Sequence, residues 1–374
     1  MMKRYPKFIY LLLPFLFFAY MKRATWLNPE HFKTEVNGKK TLLHFLKNEN
    51  GMKVAITNYG ARIVGLQVPD KRGIETDVVL GFASIQDYLN TKQKYFGASI
   101  GRYANRIAEG QFELEGQSYQ LPINNGKNSI HGGLKGFHDV VWEINEKSSN
   151  HIKLNYTEKH LAEGFPGNLT VEITYTLNSN NELSIVYKAS TDKATPINFT
   201  NHSFFNLNGE GSGDVLKHQL QLNAKEFTPI NENQIPLGYQ LKVENTAFDF
   251  RSFHAIGQRI DDENIQLKYG NGYDHNFVVS SDDKNTITKV ASIVGDQSGI
   301  QMDVFSDLPG VQFYTANFLK SYNTLKSGKT DDRRTAFCLE TQHFPDAINQ
   351  KNFYHKILEP NDDYHSQTVY KFSW

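Results

Sequence analysis

The 374-residue chain carries 40 Lys and Arg against 40 Asp and Glu, so no net field draws it to nucleic acid or an anionic surface. Apolar residues make up 39% and aromatics 13%, with 26 Phe and 19 Tyr, enough for a sizeable core and for aromatic walls around a ligand. A single cysteine, Cys338, excludes an intramolecular disulfide and a Cys-rich zinc site, and reads as a small buried hydrophobe.

At the N-terminus Lys3, Arg4 and Lys7 precede an apolar run from Phe8 to Tyr20, broken by Pro14 and followed by Met21-Lys22-Arg23-Ala24. A basic start and a run shorter than the ~20 residues of a spanning helix suit an export signal peptide. No A-x-A site follows, so an uncleaved signal anchor is one alternative. Initiation at Met21, which implies a cytoplasmic protein, is another. Residues 1–24 are therefore read as a signal peptide or anchor and residues 34–374 as one domain. The expected location is periplasmic or extracellular, with membrane contact only through this segment.

Beyond the leader, period-2 alternation dominates. Val54 and Ile56 lead to Gly60, with Val64, Leu66 and Val68 after it. Ser84 to Leu89 is a short helical stretch. Phe112 and Leu114 alternate before Glu115-Gly116, then Tyr119 and Leu121, which predicts a hairpin. Leu169, Val171, Ile173, Tyr175 and Leu177 alternate with mostly polar residues; Asn178-Ser179-Asn180-Asn181 supplies a turn, and Leu183, Ile185 and Tyr187 resume the pattern. The tail from Thr368 to Phe372 is strand-like. Many strands with regular turns and few helices predict an all-β protein, a large antiparallel β-sandwich.

Four segments concentrate groups suited to binding sugars. In Gly101-Arg102-Tyr103-Ala104-Asn105-Arg106-Ile107 the two arginines, four apart, would share one face of a strand. In Asn128-Ser129-Ile130-His131-Gly132-Gly133 two glycines after a histidine would let backbone approach a ligand. Asn201-His202-Ser203-Phe204-Phe205-Asn206-Leu207 interrupts an aromatic run with polar groups, and Phe337-Cys338-Leu339-Glu340-Thr341-Gln342-His343 places Glu340 within a predicted strand. Taken alone, each admits a structural role. A histidine among aromatics is more often a hydrogen-bonded core residue than a catalyst, and Arg106 or Glu340 could serve in an ion pair. No metal-ligand spacing and no phosphate-cradling glycine loop is present.

Together these segments resemble the aldose 1-epimerase (galactose mutarotase) family, from about Asn50 to the C-terminus. The resemblance rests on GRYANRI at 101–107, NSIHGG at 128–133, EGFPGNL at 163–169, NHSFFNL at 201–207, GYDHNFV at 272–278, PGVQFYT at 309–315 and CLETQHFPDA at 338–347. It implies a galactose-mutarotase-like supersandwich with an open cleft, and interconversion of the α and β anomers of free hexoses such as glucose and galactose. No cofactor or metal is expected, since the chemistry needs only an acid and a base. The resemblance assigns Glu340 as general base at the anomeric hydroxyl and His202 as general acid at the ring oxygen. It assigns Asn105, Arg106, His131, Asp274 and Gln312 to sugar binding, and Phe204, Phe205, Trp142 or Tyr314 to an apolar wall. Phe204 stands where tyrosine is common in the family. A hexose-6-phosphate epimerase would need further cations, a non-catalytic sugar-binding domain would lack the acid or base, and a glycoside hydrolase would need two flanking carboxylates.

Overall fold

A computed structural model describes residues 26–279 and 286–374. The segment read as a signal peptide or anchor lies outside these residues. Among the described residues no helix is long and apolar enough to cross a membrane.

Alternation becomes sheet where the sequence predicts it. The strand Leu169–Leu177 buries every second residue and pairs with Glu182–Thr191 across the Asn-rich turn, Leu177 opposite Leu183. Gln111–Leu114 pairs with Gln117–Gln120, joined by Glu115 and Gly116 at φ 53° and 74°, the positive pair that a tight hairpin turn requires. Lys53–Thr57 pairs with Arg62–Pro69. The predicted helix runs from Ile85–Asn90, its first turn capped by the Ser84 side chain accepting from the Asp87 N–H.

These pieces assemble into antiparallel layers. A nine-stranded sheet runs, in spatial order, through Glu143–Lys147, His151–Glu158, Leu169–Leu177, Glu182–Thr191, Tyr364–Ser373, Gln301–Ser306, Thr288–Val294, Gln219–Leu222 and His254–Ala255. The C-terminal strand, whose alternation is untidy in sequence, is central and paired on both edges. A five-stranded sheet orders Leu241–Lys242, Ala224–Phe227, Asp274–Val279, Gly310–Tyr314 and Cys338–Gln342. A four-stranded sheet holds Leu43–Lys47, Lys53–Thr57, Arg62–Pro69 and Glu75–Asp77. One apolar cluster joins them, with Ile173 and Tyr175 from the first, Phe277, Val311 and Leu339 from the second, and Ile56 and Leu66 from the third. This is the expected all-β sandwich.

The five-stranded sheet positions the site by parity. Gln312 lies opposite Glu340 and also opposite Asn276, and Tyr314 lies opposite both Cys338 and Asp274. Successive side chains of a strand point to opposite faces. Phe277, Val311, Phe313 and Leu339 therefore enter the core, while Asp274, Gln312, Tyr314 and Glu340 share the other face. The short strand Thr200–His202 reaches the same face from elsewhere, because Phe205 and Phe337 exchange both backbone hydrogen bonds and so lock the two segments together.

Arg102 corrects the expectation that it shares a face with Arg106. Only Arg106 and Ile107 of that segment form strand, and Asn105 at φ 62° turns the chain between the two arginines. Arg102 is fully buried away from the cleft. Its Nε donates to Glu158 Oε2 at 2.6 Å and its guanidinium also reaches Pro166 O and Thr195 Oγ1. Burial pushes both members of this pair toward neutrality, so the pair itself adds little net stability, yet removing one partner strands the other. Glu158→Leu is expected to cost about 3–5 kcal/mol in urea unfolding; a loss under ~1 kcal/mol counts against this account.

Candidate active site

A cavity of about 250 Å³ opens over the polar face of the five-stranded sheet. That is slightly below the ~300 Å³ lower bound for drug-sized ligand pockets, and matches one monosaccharide ring. All seven residues singled out from the sequence line it: Asn105, Arg106, His131, His202, Asp274, Gln312 and Glu340. A larger hollow of about 790 Å³ lies elsewhere, beside Leu308, Tyr354 and His365, but the buried carboxyl–imidazole pair is in the smaller one.

Glu340 rises from the middle of Cys338–Gln342 and His202 closes Thr200–His202. Their Oε2 and Nε2 atoms stand 3.6 Å apart, just beyond direct hydrogen bonding, and both side chains are almost wholly buried. Glu340 Oε2 has no hydrogen-bond partner among the described residues. His202 is clamped between rings: Tyr95 stacks at 5.7 Å and Phe204 at 4.9 Å, while His131 meets it edge-on at 5.1 Å. Beneath it, Cys338 Sγ lies 3.5 Å from Nδ1. Burial holds the thiol well above its ordinary range, so Cys338 is the buried, protonated group expected.

The polar groups lining the cavity are cross-braced. Gln312 Nε2 donates to Asp274 Oδ1 at 2.7 Å. Arg106 donates through Nε to Asn125 Oδ1 at 3.1 Å and through a terminal nitrogen to Gln234 Oε1 at 2.5 Å. The Asn105 backbone N–H donates to His131 Nδ1 at 3.2 Å, and the His131 N–H returns to Asn105 O at 3.0 Å. Both residues sit at positive φ, 62° and 54°, a conformation held by this reciprocal pairing.

The glycines after His131 serve a different purpose from the one expected. A Cβ on Gly132 would lie 2.0 Å from Gly101 O, and one on Gly133 2.3 Å from the Glu163 carboxylate. They permit close packing of loop on loop, with Glu163 Oε2 accepting from the Leu134 N–H, rather than approach to a ligand.

His131, His202 and Glu340 offer ligand atoms within 4.8 Å of one another, a donor set that could hold a metal ion. The Asn105 N–H already occupies Nδ1 of His131, however, which puts the proton of the neutral ring on Nε2. A metal on Nε2 would need that proton displaced onto Nδ1, which would break the contact with the Asn105 N–H. Nε2–H is instead suited to a neutral oxygen acceptor.

Electrostatics follow from burial. Desolvation lowers His202 to about 3, assisted by the Arg62 charge and opposed by a hydrogen bond to its own backbone. Desolvation also drives Glu340 well above the usual carboxylate range; the Asp274 charge adds to this and Arg106 opposes it. Burial penalises both charges and so favours the neutral form of the pair over the ion pair of carboxylate and imidazolium. The proton count is the same in either form.

Of the proposed apolar walls, Phe204 and Tyr314 line the cavity, whereas Phe205 and Trp142 belong to the core. Tyr95, Asn125, Gln234 and Phe318 line it without having been singled out. Asn125 precedes Gly126 in a turn-like dipeptide, and Gln234 lies in a loop with no periodic signal.

A family model described as Aldose 1-epimerase matches residues 43–371. The galactose mutarotase of Rattus norvegicus is 42% identical over 88% of this chain and 93% of its own length. The aldose 1-epimerase of Escherichia coli (strain K12) is 35% identical over 90% of this chain and 96% of its own. The crystal structure of a GalM/aldose epimerase homologue from C. elegans superposes with a TM-score of 0.81 at 28% identity, covering 88% of this chain and 99% of that one. With the fold, the cavity and these relatives in agreement, the chain belongs to the aldose 1-epimerase family.

Proposed function

We propose that Glu340 and His202 form the acid–base pair with which this isomerase opens and recloses the ring of a free aldohexose, interconverting its α and β anomers. The observation that carries the reading is the 3.6 Å approach of these two side chains on the wall of a pyranose-sized cavity lined with hydroxyl-binding groups.

Anomer exchange requires a proton to leave the hydroxyl on C1 and another to reach the ring oxygen. The C1–O5 bond breaks, C1 becomes an aldehyde, rotation about C1–C2 presents its other face, and closure reverses both transfers. In this scheme carboxylate Glu340 takes the O1 proton while imidazolium His202 protonates O5. What remains beside the open sugar is a neutral carboxyl and a neutral imidazole. Burial favours that state of the pair. The site thus raises the ion pair that accompanies the cyclic sugar and lowers the relative cost of ring opening. Reclosure on the other face restores the ion pair. A positioned acid and base contribute about 10²–10⁴-fold in such steps.

His131 Nε2–H, Asn105, Arg106, Asp274 and Gln312 supply donors and acceptors for hydroxyls, each of which both gives and accepts a hydrogen bond. Arg106 is the cation lining the cavity, and it is engaged with Asn125 and Gln234. Arg102 is committed to Glu158, so the cluster of cations suited to a phosphorylated sugar is not assembled here, and a free sugar is favoured. Polarimetry, or a coupled β-glucose dehydrogenase assay, on purified protein tests the reading. Anomer equilibration no faster than in buffer refutes it.

The pair must hold one proton to work, which sets its pH dependence. A second proton reaches His202 only near about 3, and the single proton is lost only above the raised value of Glu340. With the spontaneous rate subtracted, the acidic limb of kcat/KM is expected well below the ordinary histidine value of ~6.5, displaced toward the lowered value of His202 at about 3. A half-loss centred near ~6.5 refutes the neutral-pair account.

A further inference from the structure

Gln234 lies between Arg106 and Asp274. Its Oε1 accepts from Arg106 at 2.5 Å and its Nε2 donates to Asp274 Oδ2 at 3.2 Å. Arg106 and Asp274 themselves are 3.9 Å apart at their nearest charged atoms, beyond a direct hydrogen bond, though both are buried. A guanidinium and a carboxylate this close ordinarily close into a forked pair, with two parallel hydrogen bonds. The carboxamide, which offers an acceptor to one and a donor to the other, occupies the place where that closure would occur.

The loop delivers this side chain rigidly. Asn231 Oδ1 accepts from the Asn233 and Ile235 N–H groups at 2.9 and 3.1 Å, and Asn231 and Ile235 close the turn by backbone. Gln234 takes φ 61° at its apex, and Asn128 Nδ2 ties the loop to the segment bearing His131 by donating to Asn233 O at 3.0 Å. Gln234 is half-buried and lines the cavity beside Arg106, Asp274 and Gln312.

We infer that Gln234 is a specificity-determining residue, whose carboxamide keeps Arg106 and Asp274 apart so that both retain hydrogen-bonding capacity for ring hydroxyls other than the anomeric one. The inference rests on the acid–base reading for its kinetic readout, but its physical content is sugar binding. A direct Arg106–Asp274 fork would spend the donors and acceptors that a neutral, hydroxyl-rich ring needs. The recognised ligand is accordingly an uncharged aldose with several free hydroxyls, read on its non-anomeric positions. Glu340 and His202, which do the chemistry, are not contacted by Gln234.

Gln234→Met keeps the length of the side chain and removes both hydrogen bonds. It is expected to raise KM for glucose by about tenfold with kcat within about threefold, the signature of lost uniform binding. Among the monodeoxyglucoses, at least one that wild type handles about tenfold less well than glucose is expected to lose that handicap in the variant. Gln234→Glu, which keeps the acceptor for Arg106 but sets a like charge beside Asp274, serves as the second variant and is expected to raise KM also. Protection of the protein by glucose against thermal unfolding gives a readout independent of catalysis: present in wild type, weakened in Gln234→Met. If wild type fails to accelerate anomer exchange, the acid–base reading falls, while the protection assay still decides the role of Gln234. A KM within twofold of wild type with an unchanged sugar preference, or a fall in kcat at unchanged KM, overturns the inference.

Discussion

Glu340→Gln is expected to lower kcat by about 10²–10⁴-fold with KM changed by no more than about threefold. The amide keeps the shape of the carboxyl on the strand Cys338–Gln342 and cannot accept the proton of the anomeric hydroxyl. A second readout separates catalysis from folding. Glu340 lies well above its ordinary value through burial and the Asp274 charge, so the folded chain holds a proton that the unfolded chain releases above about pH 4–5. The native state binds more protons than the unfolded one in this window. Its stability therefore declines as pH rises from there toward the folded-state value. The amide has no proton to retain and removes this penalty. Glu340→Gln should thus melt no lower than wild type at pH 7, and its relative advantage should shrink near pH 4. A variant that keeps kcat within tenfold of wild type removes Glu340 from the proton transfer. One that is inactive because it has unfolded is revealed by its melting curve.

What made the site readable was the resemblance of its motifs to the aldose 1-epimerase family; period-2 alternation predicted the sheets, and the assembled strands show how parity gathers the motif residues on one face. On the pleated strands Asp274–Val279, Gly310–Tyr314 and Cys338–Gln342, residues that alternate in sequence alternate between core and cleft, so Glu340 and Gln312 share a face once those strands pair. Alternation also marked the Leu169–Leu177 hairpin and the turn at Glu115-Gly116. The same rule misled at Arg102 and Arg106, because a left-handed Asn105 ends the strand logic there and sends the two guanidiniums to different places. Gln234 and Tyr95 carry no periodic signal at all. They reach the cavity through loop closure and through the ring stack on His202, contacts that depend on segments distant in the chain. Protonation was equally hidden, since it is decided by how completely Glu340 and His202 are enclosed, and enclosure is a property of the assembled layers.

His202→Asn carries the other large effect, an expected loss of about 10²–10⁴-fold in kcat. The imidazole does two things that asparagine cannot. In the proposed cycle it alternates between donor and base at O5 as the ring opens and recloses, and in the structure it fills the slot between Tyr95 and Phe204, which fixes Nε2 toward Glu340. The amide of asparagine neither protonates nor deprotonates near neutral pH, so only hydrogen bonding to O5 survives. The more discriminating result comes from combining the two substitutions. If Glu340 and His202 pass one proton charge between them through the sugar, losing either breaks the whole cycle, and nothing is left for the second substitution to remove. Glu340→Gln/His202→Asn should then fall within about tenfold of the slower single variant. Two groups acting independently would instead multiply to a loss of about 10⁴–10⁸-fold. Polarimetric rates of wild type, both single variants and the double, measured at one pH with the spontaneous rate subtracted, distinguish these outcomes. A multiplicative loss means that the 3.6 Å approach of the two side chains is proximity without shared proton traffic.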